Sequence, residues 1–262
     1  MTEWDASGYN KQSSLQKWLA DERLSAVQLA GTERVLDVGC GDGKITAALA
    51  AQLPHGSIIG IDPSTDMIAF ARAHFADAAH ANLRFQVADA THLPFHNEFD
   101  LIVSFNALHW VPDQRAALRG IRDALKSGGL AQLQFVPQGP RRSLEDVIED
   151  TRRSARWAHY FPGYRPPFVH FTSDEYRAMA ADEGLRVDGI DTQLKAWDFH
   201  TRDAFVDFAQ VTFVEWTRMI PQEQLIDFIH DVLDNYQRVG DGSPADAHVF
   251  HFYQMKVVLR LA

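Results

Sequence analysis

VLDVGCGDGKIT, residues 35–46, is a short apolar run that gives way to three alternate glycines and then to a helical pattern. Glycine takes up positive φ and lets backbone pass close to a ligand. Free amides at a following helix start favour an anionic group. Two well-known loops fail here. The dinucleotide fingerprint needs a third glycine at position 44, where Lys44 stands. The Walker A loop needs glycine where Val38 stands, and Ser or Thr where Ile45 stands. What remains is a loop suited to a small ligand with a carboxylate.

Further along the chain, similar apolar runs recur. SIIGID (57–62), LRFQVAD (83–89), FDLIVSF (99–105) and LAQLQFV (130–136) read as strands, the last introduced by the Gly-Gly of KSGG. Helical patterns separate them. One starts at Ser64, an expected N-cap, with Met67, Ile68, Ala71 and Phe75 on its apolar face. Another, residues 113–126, carries Leu118, Ile121 and Leu125 on one side. Strands apolar on both faces and joined through helices imply parallel pairing, hence a doubly wound α/β sheet.

Past residue 140 the order changes. Residues 141–157 and 173–183 read as helices around the link FPGYRPP, and LRVDGIDTQLKAWDF as one long strand or two. A helical pair, 201–219 and 221–239, follows. Pro221 is expected in the second helix's first turn, with Leu225, Ile226, Ile229, Val232, Leu233 and Tyr236 as its inward stripe. AHVFHFYQMKVVLRL closes as a strand. We expect one domain over 1–262, with a lid segment 1–32, a cofactor-binding core 33–136, and cap elements 137–184 and 199–247.

The totals narrow the function. A net charge of −10 argues against nucleic acid or an anionic membrane as partner, since each needs a basic face. The single cysteine, Cys40, permits no internal disulfide. With no secretion-signal pattern at MTEWDASGYNKQSS, this points to the cytoplasm. The twelve histidines show no HExxH pattern, and His248 and His251, three apart in the expected last strand, point to opposite faces. No metal is expected.

Asp62 ends the second strand, 23 residues after Gly39, where a carboxylate can accept both hydroxyls of a ribose. Asp89 ends the third and can accept from an exocyclic amine. Ligands of open α/β sheets bind outside the carboxyl ends of the strands, so the three sites converge. An amino-acid end, a ribose and an adenine in that order describe S-adenosylmethionine.

GCGDG, the Asp62 strand end, VADA and FNALHW resemble the ordered motifs of class I S-adenosylmethionine-dependent methyltransferases over residues 33–136. GYNKQSSLQK with LHWVPDQ is similar to juvenile hormone acid methyltransferases. It also echoes plant carboxyl methyltransferases of the salicylic and benzoic acid type. Trans-aconitate methyltransferases share WD near the start and the tryptophan after strand four. The resemblance implies a seven-stranded sheet with its last strand antiparallel. It places Gly39 and Gly41 at the methionine end, Asp62 on the ribose and Met67 over the adenine. Asp89 and the Ala90 amide recognise adenine edges, and Phe105 offers backbone to the methionine amine. Tyr9 and Ser13 close over the cofactor, Pro63 belongs to the same set, and Gln16 and Trp110 grip an acceptor carboxylate.

Chemistry supports that last pairing. Trp110 has one indole donor and Gln16 two amide donors, all uncharged. A carboxylic acid is already ionised at neutral pH, so its attacking oxygen needs alignment and not a base. Methyl transfer to the carboxylate of a small, largely apolar acid is therefore expected. The alternatives are an amine or hydroxyl methyltransferase with His109 as base, or a non-catalytic binding module. His109 can bond the acceptor, act as base or pack. Nucleic-acid methylation is disfavoured, since NALH replaces the Asn/Asp-Pro-Pro-aromatic motif that holds a flipped base. Cys40 reads as a small packing residue. Arg141, Arg142, Arg152, Arg153, Arg156 and Arg165 form either a solvated face or an attraction for an anionic acceptor or carrier protein. The helix bearing Phe205, Phe208, Phe213 and Trp216 either lines an apolar acceptor pocket or packs within the cap.

Overall fold

A computed structural model of the chain describes residues 15, 18, 19, 22, 24, 25, 27–75, 81–239 and 247–262. Tyr9, Ser13 and Gln16 lie outside the described residues. The first half runs β1 (Arg34–Val38), α1 (Lys44–Ala50), β2 (Ser57–Asp62), α2 (Thr65–Phe75), β3 (Leu83–Val87), β4 (Phe99–Phe105), α3 (Gln114–Ala124) and β5 (Leu125–Phe135). There follow α4 (Leu144–Arg152), α5 (Ser173–Asp182), β6 (Leu185–Asp198), α6 (Arg202–Thr212), α7 (Val214–Thr217), α8 (Leu225–Val239) and β7 (Val249–Leu261).

The sheet has seven strands in the order β3-β2-β1-β4-β5-β7-β6. The pairs β1/β2, β1/β4, β2/β3 and β4/β5 are parallel, and β7 runs antiparallel to β5. Alternation along the central strands makes it doubly wound. Leu36, Val38 and Ile102 pack with Leu118 and Ile121 of α3 and Tyr176 and Met179 of α5. Their neighbours Val35, Leu101 and Val103 pack on the other face with Ala47 and Leu49 of α1 and Ile68 and Ala71 of α2. Ser64 caps α2 as expected, its hydroxyl accepting from the Met67 amide at 3.2 Å.

KSGG does not precede β5 but lies within it. Phe99 pairs with Leu125 and Leu101 with Leu130, so residues 126–129 bulge from the ladder. Gly129 is required there, because a Cβ would stand 2.9 Å from the Phe99 carbonyl oxygen. Lys126 secures the bulge by donating to both oxygens of Asp100, at 3.0 and 2.9 Å.

The chain divides into two compact units, one of residues 1–137, 167–193 and 254–262, the other of 138–166 and 194–253. Residues 167–184, expected among the cap elements, thus cluster with the sheet. Tyr176 and Met179 are the reason, since both are buried in the sheet's core.

Within the second unit, the expected 201–219 helix breaks at Phe213 into α6 and α7. Pro221 stands just before a 3-10 turn, Gln222–Gln224, and not inside α8. The stripe of α8 is also shifted: Ile226 is 40% exposed, and Phe228, at 0%, takes its place. Phe205, Phe213 and Trp216 are buried, and Phe205 stacks on Phe199 at 4.7 Å, so these aromatics pack within this unit. Glu149 lies buried at its centre, accepting from Arg152 at 2.8 and 2.6 Å and from the Trp216 indole at 2.9 Å. Arg153 also pairs with Glu149, Arg142 with Asp150, and Arg156 with Asp227 and Asp231. Most of the arginine cluster is therefore spent on internal ion pairs. His248 precedes β7, so the strand alternation expected to set it on the opposite face from His251 does not apply to it.

Candidate active site

β1 ends in the glycine loop because its apolar residues stop at Val38. Gly39, Gly41 and Gly43 all have positive φ, at 77°, 53° and 83°. The amides of Gly39 and Cys40 both donate to the Ile61 carbonyl, at 2.8 and 2.9 Å, tying the loop to the end of β2. Asp62 completes the tie. One carboxylate oxygen accepts from the Gly41 amide at 3.0 Å and the other from the Ser64 amide at 2.9 Å.

The glycines differ in what surrounds them. A Cβ on Gly39 would come within 2.1 Å of the Ala107 Cβ, so the loop after β1 touches the loop after β4. A Cβ on Gly41 would meet nothing within 4 Å among the described residues. The first glycine is needed for packing, while the second leaves its approach side open to a ligand.

Cys40 lies in this loop, buried, with burial pushing its thiol pKa well above the ordinary value. It is a packing residue held as the thiol. Asp89 follows β3, next to β2 in the sheet. Its Oδ1 accepts from both the amide and the hydroxyl of Thr91, each at 2.8 Å, leaving Oδ2 for another partner. Both aspartates therefore also hold turns. Pro63 follows Asp62 directly, Met67 is buried on α2, and Ala90 is buried in the sheet's core.

The loop after β4 carries the remaining described candidates. Phe105 ends the strand half-buried, and Asn106 turns the chain with φ 54°, its amide donating to the Gln134 carbonyl at 2.7 Å. Leu108–Trp110 then form a single 3-10 turn. His109 is buried, with its ring centre 5.2 Å from that of Trp110 and 6.3 Å from that of His170. Phe168 meets the Trp110 indole edge-on at 6.2 Å and 80°.

The turn is clamped from both sides. Gln114, 3% exposed, donates its side-chain amide to the carbonyls of Leu108 and Val111, the latter at 2.7 Å. The Val169 amide donates to the His109 carbonyl at 2.8 Å. Sequence reasoning missed Gln114 and Phe168. A glutamine in a helix's first turn ordinarily faces water, and Phe168 follows a proline-rich link 58 positions beyond Trp110. Burial alone reveals them.

An open glycine, carboxylates at two neighbouring strand ends and a clamped aromatic turn on a 3-2-1-4-5-7-6 sheet define a Rossmann-like methyltransferase. Its cofactor is S-adenosylmethionine. Comparisons with known proteins agree. A methyltransferase domain family matches residues 35–129. A trans-aconitate 2-methyltransferase of Rhodococcus jostii is 31% identical over 191 residues, 72% of either chain. The juvenile hormone acid O-methyltransferase of Bombyx mori is 26% identical over 237 residues, 88% of this chain and 85% of that one. The crystal structure of the YcgJ protein from Bacillus subtilis shares the fold with a TM-score of 0.65. It is 19% identical, with 93% of this chain and 97% of that one covered. The chain belongs to the class I S-adenosylmethionine-dependent methyltransferases. Among the described residues no helix is long and apolar enough to cross a membrane.

Proposed function

We propose that this methyltransferase esterifies the carboxylate of a small, largely apolar acid, with Trp110 as a hydrogen-bond donor to the acceptor. The observation that carries the reading is the seat of Trp110. Its turn is clamped by Gln114 and belongs to the loop that packs against Gly39 of the cofactor loop. Relatives named for carboxylic acids, trans-aconitate and juvenile hormone acid, support the same class of acceptor.

Asp62 and Asp89 hold the ribose and adenine in this reading, Gly39 and Gly41 the amino-acid end. Met67 and Pro63 flank the adenine, the Ala90 amide reads its edge, and Phe105 presents backbone to the amine. Tyr9 and Ser13 close over the cofactor. When bound, S-adenosylmethionine supplies a methyl group on a positively charged sulfur.

The chain's part is positional. The acceptor oxygen is already anionic at neutral pH, so no side chain has to remove a proton. Trp110, with Gln16 as second donor, orients that oxygen without fixing it to a full positive charge. Alignment of this kind lowers a barrier by roughly 7–11 kcal/mol. The described cations nearby in sequence fit this economy: Lys44 lies 3.5 Å from Asp42, and Arg115 is paired with Asp182 and Glu183.

A screen of carboxylic acids with methyl-labelled cofactor tests the proposal. Label released as methanol by mild base marks an ester, whereas base-stable label would reject it. Trp110→Ala should lose turnover while retaining affinity for S-adenosylhomocysteine. The burial of His109 beside Trp110 and His170 favours one second reading, a hydroxyl or amine acceptor deprotonated by His109. In that case the rate would follow a group titrating near neutrality and the product would resist base.

A further inference from the structure

Two buried glutamines stand at the site end of the sheet. Gln134 on β5 is 3% exposed and Gln254 on β7 is 2% exposed. Among the described residues, each has a buried atom without a hydrogen-bond partner, Nε2 of Gln134 and Oε1 of Gln254. Buried polar atoms are nearly always paired, so two orphans side by side call for a physical cause.

Register shows that they share a face. Gln134 pairs with Phe105 on one side and with Lys256 on the other, so these three side chains lie on one face of the sheet. Gln254 is two residues from Lys256 and lies on that face too, diagonal to Gln134 and within reach of a long side chain. The opposite face is taken by Leu133, Phe135, Met255 and Val257 in the core. Asn106 joins the two glutamines. Its amide donates to the Gln134 carbonyl at 2.7 Å, and its side-chain oxygen accepts from Gln254 Nε2 at 3.5 Å. Asn106 is also the first residue of the loop that carries His109 and Trp110.

The orphans specify their ligand's chemistry. Gln134 offers an N–H donor and Gln254 an acceptor oxygen. An anion suits the first and is repelled by the second; a cation meets the reverse. Lys256, the cation on this face, is already paired with Glu22 at 2.8 Å. A hydroxyl is the smallest group that both accepts and donates. We infer that Gln134 and Gln254 form a specificity subsite for a hydroxyl on the acceptor, so that the preferred substrate is a hydroxylated carboxylic acid. This rests on the carboxyl-methylation reading and adds to it the second functional group that the enzyme recognises.

The test uses matched acids. Octanoic acid is compared with its positional hydroxy isomers, and benzoic acid with the three hydroxybenzoic acids, by kcat/KM for base-labile label. At least one hydroxy acid should exceed its parent by about 10-fold or more, because a site built to bond a hydroxyl disfavours the analogue lacking it. In Gln134→Met and Gln254→Met that ratio should fall towards one. The melting point of Gln134→Met should hold or rise, since it removes an unsatisfied buried amide, whereas Gln254→Met also breaks the bond to Asn106 and should melt lower. Esters formed at equal efficiency from parent and hydroxy acids would overturn the subsite and leave carboxyl methylation standing. So would a preference that survives both substitutions, or a fall in the melting point of Gln134→Met, which would make its amide structural. No ester from any acid would overturn both readings.

Discussion

The carboxylate of Asp62 accepts from the amide of Gly41 at 3.0 Å, so the last residue of β2 holds the loop that follows β1. Its other oxygen holds the Ser64 amide at the start of α2. One side chain thus fixes two loops at the crevice. Asp62→Asn keeps only one acceptor oxygen and sets an N–H against an amide. Hydrogen bonds to a charged group contribute on the order of 1.5–3 kcal/mol, so loss of one should lower the melting point by several degrees. Affinity for S-adenosylhomocysteine, measured by calorimetry, should fall by about 10-fold or more. Unchanged affinity would show that this carboxylate serves the turns alone.

Gly39 and Gly41 should separate folding from binding. Gly39→Ala sets a methyl group 2.1 Å from Ala107 at φ 77°, so the loops must part or the protein loses stability. Gly41→Ala meets nothing within 4 Å among the described residues and carries only the strain of φ 53°, on the order of 1–2 kcal/mol. We expect Gly39→Ala to express poorly or melt far below the parent. Gly41→Ala should fold and lose cofactor affinity by an order of magnitude, read by calorimetry beside a melting curve. The reverse ranking would place the ligand elsewhere.

Gln114 touches two carbonyls of the turn that presents His109 and Trp110. Gln114→Ala removes both bonds and leaves buried acceptors unmatched, costing roughly 1–3 kcal/mol. As a positioning residue it should affect kcat more than cofactor binding. About a tenfold loss of kcat with S-adenosylhomocysteine affinity intact is expected, with partial recovery in Gln114→Glu if the carboxyl is protonated at low pH. A loss confined to stability would reduce Gln114 to a helix-start ornament of the fold.

Strands were the readable part, and the reason is physical. β1, β2 and β4 are buried on both faces, so continuous apolar runs mark them without reference to distant residues. The glycine loop and Asp62 were readable because few residue types take positive φ or end a buried strand in a carboxylate. Elements decided by tertiary contact were not. No glycine or proline marks the break at Phe213, the Ile226-to-Phe228 shift depends on which side of α8 is covered, and Tyr176 alone announces nothing about the sheet. Gln114, Gln134 and Gln254 were hidden for the same reason: glutamine ordinarily faces water, and only burial turns its amide into a clamp or a subsite.

Acid should loosen one seam of the sheet unit in a predictable way. Glu183, at the end of α5, takes hydrogen bonds from Arg115 at 3.0 Å and Arg119 at 3.2 Å, both on α3. The bond from Arg115 leads in pulling its carboxyl below the ordinary value of 4.5, with Arg119 adding to it. A carboxyl with a lowered folded pKa contributes stability that is complete above its unfolded value and is lost as pH falls through the folded one. The window therefore begins near pH 4.5 and extends downward. Glu183→Gln removes the titrating group but keeps an acceptor oxygen. Its melting point should lie below the parent's at pH 7 and converge with it as pH drops below 4.5. Arg115→Gln should show the same convergence more weakly, because Arg119 still faces the carboxylate. Parallel curves for parent and Glu183→Gln across that window would mean that the arginines do not stabilise the ionised form.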